Sequence, residues 1–124
     1  MPFLFLVMLG GALGSGARYL TGRAMLALFG PDFPVGTLVV NLIGGLFMGL
    51  LAGILAKTTA GEPWRLFLGV GLLGGFTTFS AFSLDVVSLA ERGQPGVALG
   101  YALISVLGAL AALVAGLAIS RSLA

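Results

Sequence analysis

The chain has 124 residues, of which 59% are hydrophobic, 21 are glycine and only 8% are charged. Soluble domains are about 45–50% apolar and roughly 25% charged, so the composition argues against a water-soluble enzyme and for an integral membrane protein. Without His or Cys there is no imidazole base, thiolate, disulfide or zinc site, and a net charge of +2 spread along the chain marks no nucleic-acid surface.

Crossing a hydrocarbon core of roughly 30 Å takes about 20 mostly apolar residues, and four segments qualify. The first runs over 3–29. Its start, Met1-Pro2-Phe3-Leu4, has no positive n-region and is expected to be a membrane helix, not a cleaved signal peptide. The uncharged stretch from Phe3 to Ala17 would rise only about 22 Å, so the helix must continue past Arg18 towards Arg23. Gly30-Pro31-Asp32-Phe33-Pro34 then makes a turn. The second segment, 35–56, carries no charge and closes at Lys57. The third, 63–90, opens with Pro63, Trp64 and Arg65 at a membrane interface and contains Asp85. Glu91-Arg92-Gly93-Gln94-Pro95 breaks it, and the fourth runs over 96–119, ahead of Arg121. Each stretch is too long for a barrel strand and lacks dyad alternation. The expected fold is all-α, one domain over 1–124.

Small residues recur four apart as Gly10/Gly14, Gly45/Gly49/Gly53, Gly71/Gly75 and Gly108/Ala112/Gly116. Such stripes let helices approach closely in lipid. Tight packing inside one bundle is the first reading, and a subunit interface is the second. With four crossings, Lys57, Arg65 and Arg121 fall on one side and Arg18, Arg23 and Arg92 on the other. The Lys/Arg difference that orients a membrane chain vanishes at three against three. Unless a deeper arginine does not count, copies are expected to insert both ways and pair as an antiparallel dimer.

Polar side chains in hydrocarbon usually face a bundle interior or a water-filled path. Thr37 and Asn41 share one face of the second helix, either for an interhelical hydrogen bond or to line a pore. Gly74-Gly75-Phe76-Thr77-Thr78-Phe79-Ser80-Ala81-Phe82-Ser83 makes a poor helix interior. It is either unwound, freeing carbonyls that suit a hard monovalent cation, or wound, with its hydroxyls bonded back along the helix. Phe79 and Phe82 are three apart and so share a face with Phe76, a stripe that faces lipid or core unless it lines a pore. Ring edges are the positive part of the aromatic quadrupole, so rings, amide and hydroxyls together make a wall of donors suited to a small anion. Tyr101 and Ser105, four apart, form a one-sided hydroxyl track on the fourth helix, or, taken alone, a structural hydroxyl pair. Arg18 can attract anions at a vestibule, and Asp85 is expected to pair with an arginine or face water.

The blocks Gly10-Gly11-Ala12-Leu13-Gly14-Ser15-Gly16-Ala17-Arg18-Tyr19, Gly36-Thr37-Leu38-Val39-Val40-Asn41 and Gly74 to Ser83 resemble the fluoride channel family called Fluc or CrcB, over the whole chain. The resemblance implies an antiparallel dual-topology homodimer in the inner (plasma) membrane, passing fluoride passively through two narrow pores and lowering its toxicity. It also implies a structural, untransported sodium ion at a break in the third helix, held by the carbonyls of Gly74 and Thr77. Phe79 and Phe82 would be the pore rings and Asn41 a fluoride ligand. Thr37, Ser80, Tyr101 and Ser105 would form the polar track, with Arg18 at the vestibule. The track departs from some relatives at Ala109, one turn past Ser105. Two rivals belong to other classes: a small proton-coupled multidrug antiporter using Asp85, and a membrane assembly subunit needing only the glycine faces.

Overall fold

A computed structural model describes residues 2–59 and 61–123. Among them the chain is entirely helical. It comprises α1 (Pro2–Phe29), α2 (Val35–Leu55), α3 (Glu62–Trp64), a π-helix (Arg65–Leu73), α4 (Gly74–Phe76), α5 (Ser80–Glu91) and α6 (Pro95–Ser122). Four stretches are long and apolar enough to cross a membrane, the third being Glu62–Glu91.

The connections follow from residue chemistry. Gly30 ends α1 at φ 79°, donating its N–H to the Leu26 carbonyl at 2.9 Å. Gly93 ends α5 at φ 80°. There its N–H reaches Ala90 O at 3.1 Å and Gln94 N–H reaches Leu89 O at 3.0 Å, the paired closure that favours glycine after a helix. Pro63 and Pro95 sit in the first turns of α3 and α6, where a missing N–H costs nothing.

Packing is built on the glycine stripes, and their partners lie within the chain. α2 lies on α6. A Cβ on Gly45 would sit 2.9 Å from the Ala109 carbonyl oxygen, while one on Gly49 would strike Leu113 O and one on Gly116 would strike Leu46 O. α1 lies on the π-helix and α4 in the same manner. A Cβ on Gly71 would come within 2.9 Å of Val7 O, one on Gly75 within 2.7 Å of Gly11 O, and one on Gly14 would strike Leu72 O. With no hydrophobic drive between helices in lipid, this backbone-to-backbone approach is what holds them together.

The buried cluster is small: Phe82, Leu89, Ala98 and Tyr101, flanked by Phe33, Leu38, Val86 and Ala102. Large apolar side chains such as Leu20, Leu28, Leu84 and Val114 point outward, as lipid-facing residues must. The charged ends sort by side. Lys57 donates to the carbonyls of Ser120 (2.5 Å) and Leu123 (2.8 Å), joining the ends of α2 and α6. At the opposite end Arg92 donates to Asp32 O at 3.3 Å. Arg18 lies far from either rim. Its Nε donates to Gly75 O at 3.0 Å, in the middle of the third span. Counting only rim residues therefore leaves Lys57, Arg65 and Arg121 against Arg23 and Arg92, a weak preference for one orientation, so the charge tally does not by itself carry two-way insertion.

Candidate functional site

The polar groups converge on the middle of the third span. Helical conformation stops after Phe76 and resumes at Ser80, and Thr77 is extended at φ −87°, ψ 161°. Asn41 on α2 spans this turn like a staple. Its Nδ2 donates to Thr78 O at 3.0 Å, and its Oδ1 accepts the Thr78 N–H at 2.8 Å.

Those two bonds redirect the backbone. In a continuous α-helix the Thr78 N–H would point at Gly74 O and the Ala81 N–H at Thr77 O. The first is directed at Asn41. The second is directed at Thr78 Oγ1, 3.1 Å away, which caps the start of α5. Gly75 O takes the Arg18 guanidinium. The carbonyls of Gly74, Phe76 and Thr77 are left without their helical donors among the described residues. Hard carbonyl oxygens gathered at one turn, those of Gly74 and Thr77 among them, suit an alkali cation such as sodium. Among the described residues no cluster of His, Cys, Asp or Glu offers a site for another kind of metal.

The aromatic expectation holds in one part and needs correction in another. Phe79 and Phe82 are neighbours, with ring centroids 5.5 Å apart and planes at 48°. Phe82 continues onto Tyr101 at 5.4 Å, and Tyr101 onto Phe33 edge-to-face at 5.4 Å and 87°. Phe82 is buried, while Phe79 is 76% exposed on the chain's open face. Phe76 does not share their face. It precedes the turn and lines a separate hollow with Gly14, Ala17, Ile43 and Phe47. The three-residue spacing holds only along an unbroken helix.

On α6, Tyr101 and Ser105 are both buried on one side, at 1% and 5% exposure. The Tyr101 hydroxyl donates to Asp85 Oδ2 at 3.0 Å. Asp85 was expected to pair with an arginine or face water. It lines a hollow together with Arg92, but the ion pair found among the described residues is Arg65–Glu62. Arg18 and Arg92 are drawn instead to backbone carbonyls. Ser105 Oγ is buried within reach of the Tyr101 side chain but makes no hydrogen bond of good geometry among the described residues. A lone unsatisfied hydroxyl in a packed interior is costly, so its place on this track is informative. One turn further on, at Ala109, the α6 backbone lies against Gly45.

Two hollows open along α1 and α2. One of about 310 Å³ is bounded by the Gly30–Pro34 turn, Asp85, Ser88 and Arg92. The other, about 450 Å³, is lined by Ser15, Arg18, Arg23, Thr78 and Ala81. Thr37 and Gly36 belong to both. Ser80 is exposed at the start of α5, with Oγ 3.4 Å from Thr78 Oγ1. The structure therefore brings Asn41, Thr77, Thr78, Ser80, Gly75 and Arg18 to one level. Phe79, Phe82, Tyr101, Asp85 and Ser105 form a second, aromatic and polar column. Thr78 was not singled out from the sequence as a site residue. Its signal was a Thr three residues before Ala81, ahead of an apolar run, the spacing of a helix cap.

A family model described as "CrcB-like protein, Camphor Resistance (CrcB)" matches residues 5–117. A fluoride-specific ion channel FluC from Sphingopyxis alaskensis is 58% identical over 124 residues, covering 99% of this chain and 98% of its own. Proteins of the same name from Mesorhizobium japonicum and Cereibacter sphaeroides are 51% and 55% identical. The first covers 97% of both chains, the second 95% of this chain and 94% of its own.

Proposed function

The chain belongs to the CrcB family, and with its relatives named as fluoride-specific channels we propose that it conducts fluoride passively, as a dimer of two oppositely inserted copies. It is an ion channel and not an enzyme. The observation that carries the reading is the Asn41–Thr78 staple. It sets an amide, two threonines and donor-stripped carbonyls beside the exposed Phe79 ring, on a face that a single chain leaves open. A second copy related by a two-fold axis in the membrane plane would meet the same turn from the opposite direction. Such a pairing is isologous, so each group on the face is presented twice.

The wall chemistry suits an anion that holds its hydration shell tightly. Asn41 Nδ2 has two N–H groups and Thr78 O takes one, leaving one for the pathway. Phe79 and Phe82 would turn ring edges towards the ion, and the unpartnered Ser105 hydroxyl offers a further O–H. Thr37, Ser80 and Tyr101 extend the track. The Tyr101 proton is engaged by Asp85 until a competing acceptor takes it. Arg18, at the wall of the 450 Å³ hollow, would raise the local anion concentration at the entrance. No single contact is strong enough to trap the ion, as conduction requires.

A sodium ion would be held by the carbonyls of Gly74 and Thr77 from both copies, and a fixed positive charge there would lower the cost of an anion in a low-dielectric passage. It is structural in this reading. The chain's own groups do the rest: they replace water around the ion, exclude larger anions by closeness, and occupy the Asp85 carboxylate with the Tyr101 hydroxyl. Passive export lowers cytosolic fluoride only from the plasma (inner) membrane, which is the location we assign to this multi-pass chain.

Fluoride-electrode recordings from proteoliposomes test this. With valinomycin shunting potassium, fluoride efflux should proceed without a proton gradient and chloride efflux should be negligible. Flux that appears only with an imposed proton gradient would instead support an antiporter built on Asp85.

A further inference from the structure

One basic side chain interrupts an otherwise apolar trough on the outer face of a single chain, at the opposite end of the π-helix from the turn at Thr77. The trough lies between α2 and the π-helix. It has a volume of about 440 Å³ and is walled by Met48, Leu51, Ala52, Leu55 and Val70, with Arg65 at its end. Across Leu51 it adjoins a second, almost wholly apolar trough of about 410 Å³ that reaches Phe47 and Leu72. Gly69 keeps the floor low: a Cβ there would already touch Leu51 at 3.4 Å. From Leu55 to Phe47 the α2 wall rises about 12 Å at 1.5 Å per residue. That is most of one leaflet of a roughly 30 Å hydrocarbon core.

The mouth is chemically specific. Arg65 Nε donates to Glu62 Oε1 at 2.6 Å and Nη2 to Oε2 at 3.1 Å, and both side chains are about half exposed. Two of five guanidinium N–H groups are used, so the others can donate outward, and the carboxylate keeps free lone pairs. Trp64, 53% exposed beside them, sits where an interfacial ring is expected. The mouth thus carries one positive and one negative group, with net charge zero, above a channel for hydrocarbon.

We propose that this trough binds a zwitterionic phospholipid with a primary-amine headgroup, its phosphate on Arg65, its ammonium on Glu62 and one acyl chain along Leu55, Leu51 and Phe47. Charge complementarity selects this class: an anionic headgroup meets the Glu62 carboxylate unfavourably, and a quaternary ammonium has no N–H to donate. The inference needs only that the chain spans a bilayer and does not depend on what it conducts.

Native mass spectrometry of the purified, delipidated protein, offered phosphatidylethanolamine, phosphatidylcholine and phosphatidylglycerol of one acyl composition, tests it. Ethanolamine lipid should be retained best. Glu62→Gln and Arg65→Gln should each lower that retention about two- to fivefold, the range of an exposed ion pair, and both sites are exposed enough to leave the fold intact. Ala52→Trp, filling the trough, should lower retention of all three. Equal retention of the three headgroups by the parent, ethanolamine-lipid retention unchanged in both Glu62→Gln and Arg65→Gln, or lipid retention untouched by Ala52→Trp would overturn the proposal. An Ala52→Trp variant that breaks chain–chain association while keeping its lipid would show that a second copy covers the trough, which also overturns it.

Discussion

Replacing Asn41 by Asp separates the two jobs assigned to this side chain. The carboxylate can still accept the Thr78 N–H, now made at 2.8 Å, but cannot donate to Thr78 O, now 3.0 Å away. The donated hydrogen bond is lost and a carboxylate oxygen faces the Thr78 carbonyl in its place, so the loss of stability should exceed the ~0.5–1.5 kcal/mol of a neutral hydrogen bond, and the flux is read only from protein shown to be folded. A permeating anion, however, would meet a negative charge where it had met an N–H. At about 4 Å and an effective dielectric constant near 20, that repulsion is about 4 kcal/mol. At 1.36 kcal/mol per decade the rate should fall roughly a thousandfold. The assay belongs at alkaline pH, well above the ordinary carboxyl range. Acidification should restore part of the flux, because a protonated carboxyl donates. Fluoride-electrode efflux and thermal unfolding, measured side by side, check both halves. Efflux within an order of magnitude of the parent at alkaline pH, from folded protein, would refute Asn41 as part of the anion path.

Ser105→Ala removes a buried hydroxyl that makes no hydrogen bond of good geometry within the described chain; thermal stability should hold or rise by about 1 kcal/mol, while fluoride efflux should fall roughly tenfold if that O–H serves the ion. Phe82→Ala should cost about 3–5 kcal/mol of stability as well as flux, because the ring is buried against Tyr101. Phe79→Ala, at a ring 76% exposed in one chain, should change single-chain stability by only about 0.5 kcal/mol yet still impair efflux. Exchanging sodium for a bulky organic cation should lower the melting temperature and the flux together. A site filled a hundredfold above its Kd is worth about 2.7 kcal/mol, and indifference to sodium would remove Gly74 and Thr77 as its ligands.

The four apolar spans and the glycine and proline stops were legible because length, hydropathy and special φ angles are local properties. The small-residue stripes were legible as faces, but their partners were not. Nothing in the spacing of Gly45 and Gly49 says that Ala109 and Leu113 lie opposite. The winding of Gly74–Thr78 stayed open for a related reason. The group that captures the Thr78 N–H is 37 residues away on α2, and local propensity alone balances the two outcomes. Of the two expectations for Asp85, the arginine partner is the one not met, through competition, while the carboxylate does line an open hollow. Arg18 and Arg92 each found a backbone carbonyl, and Tyr101, from the next span, supplied the donor. The stripe through Phe76 failed because it presumed one continuous helix. The π-helix at Arg65–Leu73 had no signal in a run of Leu, Val and Gly.

Antiparallel insertion is the claim on which the shared pathway rests, and the natural lack of cysteine makes it directly measurable. Thr58 and Gln94 are exposed in connections at opposite ends of the spans, so Thr58→Cys and Gln94→Cys report the two sides of the membrane. An impermeant thiol reagent applied from outside intact cells should label about half of each variant, as two-way insertion demands, and the remainder only after lysis. Complete labelling of one variant and none of the other would mean a single orientation, and the paired-turn channel described above could not form.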